Sequence, residues 1–407
     1  MKLATSMIAL LASVSLCQAA DITGGVVKIG VLNDQSGVYS DFGGKTSVDA
    51  ARMAVEDFKG GSKGIKVEIV SADHQSKADV ASATAKRWFD VDGVDAIADL
   101  TNSAVAIAVN TVAKERGKIT LMTGPLSTAL TNENCSPTGF HWGWDTYSQG
   151  VGTAGALTAQ GQSRWFILAA DYAFGRAMAT DISRVVTERG GQIVGKVSHP
   201  LDTADFSSFL LQAQTSGAQV IALANGGTDT INAIKQAGEF GITQGGQKLA
   251  GLAVVISDVH ALGLKTAQGL VVTTPFYWDT NAETRAFSKR FFERNGRMPG
   301  AVQAATYSAV LHYLKAIDAA GTDDGPTVAA KMREMPVNDA FAPNGRIRED
   351  GRMVTDMYLV EVKKPGESTG DWDYFKVLSP IARETTAAPI EQTRCPYLVN
   401  RDKAVTR

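Results

Sequence analysis

Histidine and cysteine are scarce in this 407-residue chain, which has five of the first and three of the second. His74, His141, His199, His260 and His312 lie far apart and show no metal-ligand spacing, so a metal centre is not expected. Charge of one sign is lacking too. The net charge is −2, with both signs interspersed, which leaves neither a basic stripe for nucleic acid nor a polybasic surface for anionic lipid. Beyond the first twenty residues no apolar run is long enough to cross a bilayer. A carboxylate pair or a Ser, His and Asp set for catalysis cannot be singled out, and no cofactor is expected.

What is present begins with an export signal. Lys2 precedes an apolar run at 6–16 (SMIALLASVSL), and the small residues Cys17, Ala19 and Ala20 lead into Asp21. That order is that of a secretory signal peptide, over 1–20, cut near Ala19 or Ala20. The bulky Leu16 argues against a lipidated Cys17. The expected location is therefore the periplasm. Removing the signal leaves Cys135 and Cys395, and two cysteines in an oxidising compartment predict one disulfide, with two free thiols as the alternative.

The rest alternates short β-rich runs with helical patterns. Strands are expected at 28–32 (KIGVL), 65–70, 95–100, 119–123, 165–170, 192–198, 220–224 and 249–255. Helices separate them; Val48, Ala51, Val55 and Phe58, for example, mark one face at spacings of three and four. Two successive runs of this rhythm predict an α/β protein of two Rossmann-like lobes, each a parallel sheet covered by helices. The last third breaks the rhythm, with a strand at 270–278, long helices at 282–295 and 301–320, and β segments at 353–362 and 372–378. No low-complexity linker separates the lobes, so the chain is expected to cross between them more than once.

Two catalytic look-alikes fail on context. Gly60-Gly61-Ser62-Lys63-Gly64 fits G-x-S-x-G but follows a helix and precedes a strand, the reverse of a nucleophile elbow. Gly44-Lys45-Thr46 sits where a phosphate-binding loop would, but the position that must be glycine is Tyr39. Polar and aromatic residues instead gather just past expected strand ends, where open α/β sheets bind ligands. These places are 33–44 (NDQSGVYSDFGG), Thr101-Asn102-Ser103, Gly124-Pro125-Leu126-Ser127, 171–175 (DYAFG) and 225–229 (NGGTD). Each alone reads as a cap or turn; five in two lobes predict a cleft.

The runs KIGVLNDQSGVYSDFGGKTSVDAARMAVED, ADLTNSAVAIAV, LMTGPLSTALT, AADYAFGRAM, NGGTDTINAIKQAGEFG and RMPGAVQAATYSAVLHYLKAI, in this order, resemble the branched-chain amino-acid (Leu/Ile/Val)-binding receptors of ABC uptake transporters. The resemblance implies a type I periplasmic binding protein fold, with lobes joined by a three-crossing hinge. It places 25–145 with 275–345 in the N-terminal lobe, 146–274 with 346–380 in the C-terminal lobe, and a tail at 381–407. It implies a monomeric carrier without enzymatic activity, whose partners are a small ligand and the transporter's membrane permease. Tyr39, Tyr172 and Phe174 would sandwich the ligand's apolar body. Asn102, Ser103 and Ser127 would hold its carboxylate beside Pro125. Gly227 and Thr228 would add the next loop, and Asp258 would face an α-ammonium. Phe174 and Thr228 depart from the amino-acid binders, which widens the expected ligand to aromatic acids and amides. Tyr277 and Trp278 could add aromatic surface or belong to the interlobe core. The alternative functions are a ligand-sensing clamp for a receptor or regulator, and an exported enzyme.

Overall fold

The computed structural model describes residues 20–399. The expected export signal falls, but for Ala20, outside them. In chain order the strands are β1 (Val27–Asn33), β2 (Val67–Asp73), β3 (Ala96–Asp99), β4 (Ile119–Met122), β5 (Gly139–Trp142), β6 (Arg164–Ala170), β7 (Gln192–His199), β8 (Val220–Ala224), β9 (Lys248–Gly251), β10 (Val271–Thr274), β11 (Arg346–Ile347), β12 (Arg352–Val354), β13 (Met357–Val362) and β14 (Phe375–Ile381). They form three sheets, ordered β11-β12-β5-β4-β3-β1-β2, β7-β6-β8-β9 and β10-β13-β14. β1 to β5 pair in parallel, as do β6 to β9. The third sheet is antiparallel.

The reason lies in the runs themselves. β1 is buried at six of its seven residues and β8 at all five, so helices must cover both faces of each sheet. The helices Gly44–Phe58 and Ala301–Ala320 pack together on the first lobe. Ala282–Asn295 joins them through ion pairs from Arg290 to Asp57 and Arg294 to Glu56. Between β5 and β6 a helical stretch runs from Thr146 to Ala159 with a π turn at Gly150–Ala154.

The sheets locate the passages between lobes. The chain leaves the first sheet after β5, returns after β10, and leaves again between β12 and β13. The segment expected as one strand at 353–362 is thus two strands in two sheets, parted at Thr355 and Asp356. β11 and β12 pair with the first lobe's sheet, although 346–354 was expected in the second lobe. Arg352 Nε donates to Asp145 Oδ2 at 2.9 Å, both side chains being buried, and this ion pair ties the third passage to the first. β5, which the sequence pattern did not reveal, is held between β4 and β12.

After β14 the chain passes back over the first lobe. Thr386 Oγ1 donates to Thr355 O, Arg348 Nη1 to Ala388 O, and Arg184 of the second lobe to Gln392 Oε1. Cys395 is bonded to Cys135, at a sequence separation of 260. Among the described residues no helix is long and apolar enough to cross a membrane, and no cluster of metal ligands exists.

Candidate functional site

The carboxyl ends of β1, β3, β4, β6, β8 and β9 face one another across the lobes, and the loops leaving them enclose a narrow cavity. Tyr39, Phe42, Thr101, Asn102, Ser103, Gly124, Pro125 and Leu126 line it from the first lobe. Tyr172, Phe174, Gly226 and Ala253 line it from the second. None of these lining residues is charged.

Each wall has a local cause. Asp34, fully buried, accepts from Gly37 N at 2.7 Å, Tyr39 N at 3.1 Å and Ser76 Oγ at 2.9 Å, which fixes the loop carrying Tyr39. Phe42 meets the Tyr39 ring edge-on and stacks on Trp144, with centroids 6.0 Å apart in both pairs. Tyr172 precedes the helix Ala173–Glu188 and leans against Phe174 at 5.9 Å. The Tyr39 and Tyr172 hydroxyls hydrogen-bond to each other across the lobes. Burial pushes both phenols further above their usual range, so neither ionises near neutral pH.

The polar end is built by a strained turn. Asp99, Leu100 and Asn102 all have positive φ, at 73°, 60° and 103°, costly for residues with side chains. The buried Asp99 carboxylate holds this turn by accepting from Asn33 Nδ2, Thr101 N and Thr101 Oγ1. Burial pushes its own pKa up. Gly124 makes room, because a Cβ there would lie 2.2 Å from Thr101 Oγ1. The turn aims the start of the helix Ser103–Glu115 at the cavity. Asn102 Oδ1 caps that helix, accepting from Ala104 N at 2.9 Å and Val105 N at 3.3 Å. Ser103 Oγ accepts from Leu126 N at 3.3 Å and Ser127 N at 3.2 Å, which leaves its own hydrogen to donate. Together with Ser103 N–H and the Asn102 amide, these groups can receive an anion at a helix N-terminus.

Of the residues singled out from the sequence, Tyr39, Asn102, Ser103, Pro125, Tyr172 and Phe174 come together here. Four others do not line the cavity. Ser127 caps a short turn, accepting from Ala129 N, and faces a separate groove with Thr128 and Asp181. Gly227 lies against Val38 of the opposite lobe, and Thr228 is exposed while its N–H donates to Val38 O at 3.1 Å. Asp258 is fully buried outside the lining, its Oδ2 accepting from Val255 N at 3.0 Å. Its Oδ1 has no hydrogen-bond partner, and burial pushes its pKa to about 7. Tyr277 packs on Phe375, and the Trp278 indole donates to Trp372 O; neither lines the cavity.

Sequence reading missed Phe42, Thr101, Gly124, Leu126 and Gly226 as individual residues, though each lies inside a segment it singled out. Ala253 was missed outright; its position just past β9 was the available signal. The two look-alikes resolve as structure. Ser62 Oγ and its N–H both donate to Asp318. Thr46 Oγ1 donates to Gly43 O and accepts from Gln303.

A family model described as periplasmic binding protein matches residues 26–370. The crystal structure of a periplasmic binding protein from Burkholderia mallei is similar at 47% identity and TM-score 0.90, covering 92% of this chain and 99% of its own. A branched chain amino acid ABC transporter periplasmic ligand-binding protein from Burkholderia xenovorans is similar at 43% identity and TM-score 0.82, covering 91% and 99%. A solute-binding protein of an ABC transporter from R. palustris, solved in complex with benzoate, shares the fold at 21% identity and TM-score 0.81, covering 91% and 100%.

Proposed function

The chain belongs to the periplasmic binding protein family, whose members serve ABC transporters as solute receptors, and we propose that its own solute is a small aromatic carboxylate held between the lobes. The observation that carries this reading is the cavity's division into two unlike ends. Unspent N–H and O–H donors at Asn102 and Ser103 suit a carboxylate, and the rings of Tyr39, Phe42, Tyr172 and Phe174 suit a flat apolar body. No acid lines the cavity to receive an ammonium, which disfavours an amino acid. The benzoate complex of the R. palustris relative is consistent with this choice.

In this reading the ligand bridges the lobes and favours the closed form by contacts that the open form lacks. The permease would recognise that form, and no covalent bond would change. A hydrophobic amino acid is the second reading, favoured by the buried Asp258 Oδ1, unpartnered among the described residues, and by the naming of the Burkholderia xenovorans relative.

A thermal-shift screen of the mature protein tests the choice, with benzoate, hydroxybenzoates and cinnamates set against leucine, isoleucine, valine and amides. A ligand at a hundred times its dissociation constant stabilises by about 2.7 kcal/mol. Shifts with the aromatic acids alone support the proposal. Shifts with the aliphatic amino acids alone transfer the site to the second reading.

A further inference from the structure

Gly227 does not line the cavity, yet it sits where the backbones of the two lobes meet. Its φ is +60°, and a Cβ placed on it would lie 2.2 Å from Val38 O and 3.1 Å from Tyr39 Cδ1, both in the opposite lobe. Beside it, Thr228 N donates to that same Val38 O at 3.1 Å, a backbone hydrogen bond between lobes. Gly226 continues the surface, with a Cβ position 3.3 Å from Tyr39 Cε1. At one end of this contact the Tyr39 and Tyr172 hydroxyls meet, and elsewhere Ser257 Oγ donates to Asp41 O at 3.1 Å. The contact at Gly227 is thus backbone on backbone, where no side chain can fit.

We propose that Gly227 is the seat on which the lobes close, a positioning residue that sets how far the clamp can shut without itself touching ligand. A single methyl group there collides with the Val38 carbonyl and holds the mouth ajar. The Thr228–Val38 bond, the tyrosine pair and the ligand's second wall then fail to form together. The inference rests on the clamp reading above and adds what limits its closure.

Closure can be read without any ligand. In the mature protein carrying Asp41→Cys and Ser257→Cys, oxidation traps the lobes whenever they shut, and the trapping rate is followed on non-reducing gels. Gly227→Ala should slow trapping at least tenfold. Gly263→Ala is the control, because Gly263 lies in the same lobe at φ +73° and a Cβ there meets nothing within 4 Å. It carries the same left-handed strain without the obstruction and should trap at the parent rate. Gly226→Val, which adds bulk at the same contact without a positive φ, should also slow trapping, and serves if Gly227→Ala does not fold. An unchanged rate in both Gly226→Val and Gly227→Ala, equal slowing by Gly263→Ala, or a parent that does not trap would each overturn the proposal. Absence of any hit in the ligand screen would instead count against the aromatic-acid reading and leave these rates unaffected.

Discussion

Replacing Tyr172 with Phe removes one hydroxyl and nothing else. In the closed form it leaves the Tyr39 hydroxyl, on a side chain only 4% exposed, without its partner across the lobes. In an open form both rings would meet water, so the penalty falls on closure alone. A buried polar group stripped of its partner costs about 1–3 kcal/mol, which corresponds to roughly 5- to 150-fold in a dissociation constant. Two features identify this cause. The loss should be the same factor for benzoate as for 4-hydroxybenzoate, because the hydroxyls serve each other and not the ligand. The ligand-free variant should unfold like the parent, because neither lobe's core has changed. Isothermal titration with both ligands and a denaturant melt make the check. An unchanged affinity would refute the reasoning, and so would a loss confined to the hydroxylated ligand.

Ser103→Ala should weaken an aromatic carboxylate by about 1–3 kcal/mol, because it removes a donor at the cavity and the acceptor of Leu126 N and Ser127 N. Ser127→Ala, whose hydroxyl faces Ala129 N, should leave affinity within about twofold and cost about 1 kcal/mol of stability as a lost cap; equal affinity losses by calorimetry would contradict this assignment. Asp258 holds its proton up to about pH 7 when folded and releases it at lower pH when unfolded. Its contribution to stability is therefore greatest in acid and declines as pH rises through that window, at about 1.4 kcal/mol per unit at most. Asp258→Asn should accordingly gain on the parent between pH 5 and pH 8 in urea melts and keep aromatic-acid binding, whereas a pH-independent difference would show that the carboxyl is not held protonated. Reducing the Cys135–Cys395 bond should lower stability by about 2–4 kcal/mol, seen as a fall in Tm when scans with and without reductant are compared; matching scans would rule that out.

The alternation of strands and helices was legible because strands buried on both faces read as apolar runs, as KIGVL and VIALA do. β5 was not. Gly139-Phe140-His141-Trp142 is too short and mixed to announce a strand, and its identity comes from β4 and β12 on either side. The split of 353–362 was missed although the polar pair Thr355-Asp356 interrupts the run, because the change of partner sheet is set by tertiary position. At the cavity, the strand-end rule named loops that line it, because sheet geometry alone brings them together. Within a loop, which side chain faces the cavity depends on tertiary position. Hence Leu126 lines it where Ser127 was expected, Gly226 where Gly227 was, and Ala253 where Asp258 was. The strained turn at Asp99 and Leu100 has no signature in composition, because neither residue type is one that favours positive φ in the way glycine does.

The bond between Cys135 and Cys395 also bears on how a newly exported copy is judged complete. Its second sulfur lies near the far end of the described chain, past every strand of all three sheets. Oxidation of this pair must therefore wait until the chain has been delivered through residue 395. A copy cut short before residue 395 would present Cys135 as a lone thiol, available for pairing with another chain or for recognition by the compartment's thiol-handling machinery. A finished copy buries both sulfurs, with Cys135 2% exposed and Cys395 not at all. The tail that adds little to either lobe's core thus works as a seal, whose closure separates chains that reach Cys395 from those cut short of it.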